Sequence, residues 1–102
     1  MKYMEEKYRV KITYCPKCNW MLRSAWFAQE ILYTFGGRLS EVALCPSEIG
    51  GEFLIQVEEN AVWERKRDGG FPDVKELKQR IRDIIEPHRD LGHLDRSSSP
   101  AS

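Results

Sequence analysis

Two cysteines stand three positions apart in the stretch ITYCPKCNW, between a strand-like run and an apolar helical pattern. The 102-residue chain holds only three cysteines, unlike the dense disulfide framework of a small secreted protein. A pair with this spacing can serve as a metal clip, a structural disulfide or a redox couple. In a reducing compartment, such a pair is more often catalytic or metal-binding than a structural bridge.

Cys15 and Cys18 are well spaced for thiol–disulfide exchange. The two-residue spacer lets the sulfurs meet in a small ring, so that a disulfide can form and be attacked repeatedly. A following helix N-terminus and the ammonium group of Lys17 would both favour the reactive thiolate, and Pro16 stiffens the turn. We therefore predict that Cys15 and Cys18 are catalytic, with Pro16 and Lys17 in supporting roles.

Zinc is the main alternative for the pair, because a tetrahedral site is commonly built from two such pairs. No second Cys-x-x-Cys occurs, and the remaining soft ligands are Cys45, His88 and His93. Both histidines follow Pro87, in a stretch that we expect to be a tail. We expect no metal and no bound cofactor, and a structural disulfide stays open as the third interpretation.

Cys45 ends the second predicted strand. Parallel strands end at the same edge of a sheet, so Cys45 is expected on the rim that carries the pair. It is a candidate accessory thiol, either as a site for glutathione or as a second resolving sulfur. The competing interpretation is a buried cysteine that acts as a small hydrophobic residue.

Hydrophobic periods indicate which elements position the pair. RVKITY alternates in the manner of a half-buried strand, and residues 18–35 follow a helical period. The predicted core stripe of that helix is Met21, Ala25, Ala28, Leu32 and Phe35, widened by Trp20, Phe27 and Ile31. Residues 38–45 and 52–59 read as strands, and residues 61–66 return as a hairpin partner after the turn Glu58-Glu59-Asn60.

A final helix begins at a capping Asp73 and ends before Pro87. Its predicted stripe is Val74, Leu77, Ile81, Ile84 and Ile85. The order β-α-β-β-β-α predicts an α+β sandwich of thioredoxin-like layout: a four-stranded mixed sheet with both helices packed on it. We assign residues 1–86 to this domain and residues 87–102 to a polar, flexible tail.

Charge and hydropathy argue against several classes of partner. Sixteen basic residues balance sixteen acidic ones, whereas a nucleic-acid-binding surface needs a basic excess. No apolar run approaches the ~20 residues of a transmembrane helix, and the N-terminus lacks the apolar segment of a secretory signal. We expect a cytoplasmic protein without nucleic-acid or membrane partners.

The first helix also carries Leu22, Trp26 and Tyr33 on a second face. A helix that is apolar on two faces is buried twice or covered by a partner. We predict a homodimer through these three residues. The alternative is an edge of the core with exposed aromatic residues.

The ordered set VKITYCPKCNW, FGGRLSEVAL and GGEFLIQVEENAVWERKRDGGFPD resembles the selenoprotein W-like (Rdx) family, which includes selenoproteins W, T and H and bacterial relatives with cysteine throughout. The likeness covers residues 8–85, and GGFPD resembles the bacterial, cysteine-containing branch. It implies a thioredoxin-like fold and thiol–disulfide oxidoreductase activity linked to glutathione and redox homeostasis. Selenocysteine occupies the position of Cys18 in selenoprotein members, which implies that Cys18 attacks, whereas thioredoxin logic favours Cys15.

We expect protein or small-molecule thiols and disulfides as the partners of this chain, with glutathione as a possible electron donor. The chain has Ile49-Gly50-Gly51 where thioredoxins place a cis-proline, so docking by that proline is not available. The leading hypothesis is a thiol–disulfide oxidoreductase. The alternative is a redox-sensing protein-binding module without catalytic turnover.

Overall fold

The computed structural model describes residues 6–92 of the chain. It contains the strands β1 (Tyr8–Tyr14), β2 (Leu39–Pro46), β3 (Phe53–Val57) and β4 (Asn60–Glu64). The helices are α1 (Met21–Phe35), α2 (Arg65–Asp68) and α3 (Val74–Ile85). The predicted order β-α-β-β-β-α is confirmed, and the short helix α2 is an addition to it.

The four strands form one mixed sheet in the order β2-β1-β3-β4. β1 runs parallel to β2 and antiparallel to β3, and β3 and β4 form an antiparallel hairpin. Ile12 in the middle of β1 pairs with Leu44 on one side and Ile55 on the other. A parallel pair needs a crossover connection, which α1 supplies. The predicted thioredoxin-like arrangement is therefore confirmed.

One face of the sheet packs against α1 and α3 and forms the core. Alternate residues of β1 and β3 point into it, as their period of two predicts. The most buried members are Val10, Ile12, Phe53, Ile55 and Val57 from the strands and Ile31, Phe35, Leu77 and Ile81 from the helices. Lys78 of α3 reaches Glu30 of α1 with a 2.8 Å ion pair, so both helices lie on the same side. Arg9 and Lys11 are exposed residues of β1 that alternate with its buried ones.

The start of the first helix differs from the prediction. Residues Pro16–Cys18 form a separate 3₁₀ turn, and α1 begins only at Met21. Asn19 separates the two because its backbone is left-handed, with φ of 64°, a conformation that asparagine tolerates better than most residues. Cys18 therefore does not lie in the first turn of α1.

The buried face of α1 is also rotated from the predicted stripe. Met21 and Leu32 are 44% and 45% exposed, although both belonged to that stripe. The buried residues are Ser24, Phe27, Ala28, Ile31 and Phe35. A helix that is apolar on most sides has no single period that selects its core face, so the sheet decides which residues are covered.

The hairpin strand is shorter than predicted, because the chain turns into α2 at Arg65. The Glu64 carboxylate caps α2 by accepting the Arg67 N–H at 2.7 Å, and the left-handed Gly69 ends it. The predicted cap of α3 is confirmed, since the Asp73 carboxylate accepts the Lys75 N–H at 3.2 Å.

The residues after α3 remain in contact with the domain as far as they are described. Arg89 donates a 3.0 Å hydrogen bond to the Thr34 carbonyl, and Leu91 packs against the core. The rest of the predicted tail, including His93, lies outside the described residues.

Candidate functional site

The cysteine pair lies directly after β1, at the edge of the sheet where β1 and β2 both end. Cys15 continues in extended backbone, with φ of −83° and ψ of 111°, and Pro16 then starts the 3₁₀ turn. The Cys18 N–H donates to the Cys15 carbonyl at 3.3 Å. The two sulfurs are in bonding contact as a disulfide, and the two Cα atoms are 5.4 Å apart. The backbone therefore brings the sulfurs together without rearrangement.

The two cysteines differ in accessibility. Cys15 is only 2% exposed, whereas Cys18 is partly exposed. A disulfide exchange needs a sulfur that an external reactant can approach in line with the bond that breaks. Cys18 is therefore the more accessible residue of the pair.

A cleft of about 480 Å³ opens beside the pair. Its lining residues are Cys15, Pro16, Lys17, Pro46, Ser47, Glu48, Ile49 and Gly50. One wall is the cysteine turn, and the other is the β2–β3 loop (residues 47–52). The cleft gives a substrate a surface beside the disulfide that combines apolar contacts with a lysine and a glutamate.

Hydrogen bonds fix the β2–β3 loop against the end of β1. The Ser47 N–H donates to the Tyr14 carbonyl at 2.7 Å. The Ser47 hydroxyl accepts the Ile49 N–H at 2.9 Å and donates to the Glu52 carboxylate at 2.5 Å. All peptide bonds among residues 6–92 are trans, and Ile49 and Gly50 occupy the wall facing the cysteine turn.

Cys45 lies near the pair but outside the cleft lining. It pairs with Thr13 across the parallel strands, one position before β2 ends, and it is a partly exposed free cysteine. Its side chain is therefore not buried as a core hydrophobe would be. Its use as an accessory thiol stays a prediction.

Among residues 6–92, no group of three or more histidine, cysteine, aspartate or glutamate residues is arranged to hold a metal ion. None of the helices described is long and apolar enough to cross a bilayer.

Residues 9–83 match the model of the Rdx family, which is most of the chain. The chain belongs to the Rdx family. It is 52% identical to a solved structure titled selenoprotein W-related protein from Vibrio cholerae, with a TM-score of 0.76, covering 79% of this chain and 100% of that one. A solved protein from Bordetella parapertussis is also 52% identical, with a TM-score of 0.74, covering 76% of this chain and 98% of that one. No curated protein matches the sequence.

Membership of the Rdx family confirms the predicted resemblance, and the cysteine pair fits the redox-related character of that family. The turn brings together the predicted residues Cys15, Pro16, Lys17 and Cys18. What the sequence pattern did not reveal is the contribution of Arg65 of α2, which contacts Gly51 of the β2–β3 loop and Trp20 after the cysteine turn.

Ion pairs behind the site hold α2 on the sheet. Burial raises the pKa of Asp68, but hydrogen bonds from the Glu64 N–H and from Arg67 and Arg80 outweigh it and lower that pKa to about 2. The backbone N–H of Arg67 is the main cause that lowers the pKa of Glu64. Both carboxylates are therefore ionised structural groups rather than proton donors for chemistry at the cleft.

Proposed function

We propose that this Rdx protein is a thiol–disulfide oxidoreductase that cycles Cys15 and Cys18 between the dithiol and the disulfide. The observation that carries the proposal is the bonding contact of the two sulfurs in a turn where Cys18 is partly exposed and Cys15 lines an adjoining cleft. Family membership supports the same chemistry. A purely structural disulfide would gain nothing from an accessible member and an adjoining cleft.

The exposure difference assigns a role to each sulfur. The Cys18 thiolate attacks a substrate disulfide, forms a mixed disulfide and releases one substrate thiolate. The Cys15 thiolate then attacks the Cys18 sulfur, releases the second substrate thiolate and closes the Cys15–Cys18 disulfide. Two electrons pass from the dithiol to the substrate. The Lys17 ammonium next to Cys18 in sequence favours the thiolate over the neutral thiol.

Glutathione is the electron donor in this proposal. Two glutathione thiols reduce the Cys15–Cys18 disulfide and leave as glutathione disulfide, so that the protein is ready for another turnover. The cytoplasm, where glutathione keeps thiols reduced, is the compartment in which this cycle would run. Protein and small-molecule disulfides are both suitable substrates for a cleft open on one side.

Turnover of a small disulfide in the presence of glutathione tests the proposal. We expect the wild type and the control Cys45→Ser to turn over, and both Cys15→Ser and Cys18→Ser to lose turnover. Cys15→Ser should accumulate a mixed disulfide on Cys18, whereas Cys18→Ser should not trap substrate on the buried Cys15. Trapping on Cys15 would reverse the roles, and full activity of either single variant would exclude the mechanism.

A second function, redox sensing by a binding module, is favoured by the outer face of α1. Leu22, Trp26 and Tyr33 are 76%, 47% and 90% exposed, an unusual amount of apolar surface for one helix. In this proposal, oxidation of the pair alters the affinity of that face for a second copy of the chain. A single stoichiometric oxidation that changes self-association without turnover would support the sensor over the enzyme.

A further inference from the structure

Arg65 joins two segments that are distant in the sequence. Its Nε–H donates to the Gly51 carbonyl at 3.1 Å, and its guanidinium carbon lies 5.2 Å from the centre of the Trp20 ring. Gly51 has φ of +79°, and a Cβ atom there would stand 3.3 Å from Arg65 Nη2. The missing side chain of Gly51 thus leaves room for the guanidinium against the loop.

These two contacts involve residues that follow the two cleft-lining segments in sequence but do not line the cleft themselves. Gly51 belongs to the β2–β3 loop, whose residues 47–50 line it. Trp20 follows Cys18 by two positions and precedes the first residue of α1, where its ring meets Phe71 edge-on at 4.9 Å. One guanidinium group therefore bridges the loop and the segment between the cysteine turn and α1.

We propose that Arg65 is a positioning residue that fastens the β2–β3 loop to the segment following the cysteine turn and thereby limits access to Cys15 through the cleft that Cys15 and the loop line together. The inference deepens the proposed oxidoreductase function, because a Cys15 that is only 2% exposed can attack the Cys18 mixed disulfide, whereas external reactants reach it only through that cleft. Arginine suits this position since a planar guanidinium can lie on an aromatic ring and still direct an N–H at a carbonyl. Lysine lacks that combination.

Arg23 provides a matched control. Its guanidinium lies 4.1 Å from the centre of the Phe71 ring, so it belongs to the same aromatic cluster. Replacement of either arginine by methionine removes one positive charge and one cation–π contact. Only Arg65→Met removes the hydrogen bond to the Gly51 carbonyl and so loosens the end of the loop that precedes β3, while the Ser47 hydrogen bonds still hold its other end.

The direct test measures alkylation of Cys15 by iodoacetamide in the Cys18→Ser background, with Cys45 as an internal reference read in the same mass spectrum. We expect Arg65→Met to raise the Cys15-to-Cys45 rate ratio about tenfold, which corresponds to ~1.4 kcal/mol in the local opening equilibrium. Arg65→Lys should also raise the ratio, because lysine keeps the positive charge but lacks the planar guanidinium that lies on the Trp20 ring while it donates to the Gly51 carbonyl. Arg23→Met should leave it unchanged.

An unchanged Cys15-to-Cys45 rate ratio in Arg65→Met overturns the inference. This holds if neither thiol reacts faster, and it holds if both react faster by the same factor, because an equal rise indicates a general loss of stability. A raised ratio in Arg23→Met overturns it as well, since the loop contact would then not be the cause. Alkylation needs no turnover, so a wild type that fails to reduce disulfides rejects the proposed function and leaves this test intact. With Cys18 present, Arg65→Met should raise KM for a disulfide substrate more than it lowers kcat.

Discussion

Reduction of the Cys15–Cys18 disulfide should lower the stability of the folded chain by a modest, calculable amount. The bond closes a loop with a sequence separation of 3, and the chain-entropy model gives about 2 kcal/mol for so short a loop. For a domain of this size, that difference corresponds to ~8–15 °C in Tm. By the thermodynamic cycle, folding then makes the disulfide about 40 mV harder to reduce than in the unfolded chain.

Urea and thermal unfolding of the Cys45→Ser variant, with and without reductant, measure this difference. Removal of Cys45 prevents intermolecular disulfides, and a variant with serine at both Cys15 and Cys18 should unfold identically under both conditions. A reduced form as stable as the oxidised one would refute the reasoning. It would mean that interactions of the thiols or thiolate in the reduced turn outweigh the entropy lost by the oxidised unfolded chain.

Three further changes probe the surroundings of the site. The pKa of Asp68 in the folded chain is lowered to about 2 from 3.8, so the stabilisation by its carboxylate is present above about pH 4 and is lost as the pH falls towards 2. Asp68→Asn should lower the free energy of unfolding by ~1–3 kcal/mol at neutral pH. In urea unfolding, the variant should also lose less stability than the wild type as the pH falls through this range. Gly51→Ala should destabilise by ~1–3 kcal/mol because φ is positive there, whereas Gly50→Ala, whose Cβ would meet nothing within 4 Å, should change the unfolding free energy by less than ~0.5 kcal/mol. Trp26→Glu and Tyr33→Glu should abolish self-association in light scattering, and a wild type that is monomeric at high concentration would contradict the predicted dimer.

The location of the cysteine pair could be predicted because the determining patterns are local. The alternation of Val10, Ile12 and Tyr14 defines β1 and its buried face, and the pair follows at once. The helical segment between β1 and β2 requires the two strands to run parallel and to end at one edge. The register of β1 and β2 then places Cys45 beside Thr13. The order of elements in the sequence indicates that Cys45 lies near this edge, but it does not determine the residue with which Cys45 pairs.

The start and orientation of α1 could not be read from the sequence. The helical period extends back to Cys18 because Trp20 and Met21 are apolar, but a left-handed backbone at Asn19 interrupts it. The apolar surface of α1 covers more than one face, so several stripes are equally consistent with burial. In the fold, α1 buries Phe27 and Ile31 and leaves Met21 and Leu32 nearly half exposed.

The role of α2 depends on contacts between residues far apart in the chain. The sequence predicts Arg65 near the end of a hairpin strand, yet Arg65 lies in α2 and bonds Gly51, 14 positions earlier. The Asp68 carboxylate likewise accepts a 3.2 Å hydrogen bond from the guanidinium of Arg80 in α3, 12 positions later. Charged residues carry no periodic signature of their partners, so such bridges emerge only when the fold brings the elements together.

The displacement of Cys18 from α1 changes the explanation of its reactivity. A cysteine in the first turn of a long helix gains from the unpaired N–H groups and the positive end of the helix dipole. Cys18 instead is the last residue of a three-residue turn, and its backbone N–H already donates to the Cys15 carbonyl. In the proposed mechanism, activation of the Cys18 thiolate therefore depends more on Lys17 and on partial exposure to water than on the dipole of α1, and Cys15 takes the resolving step.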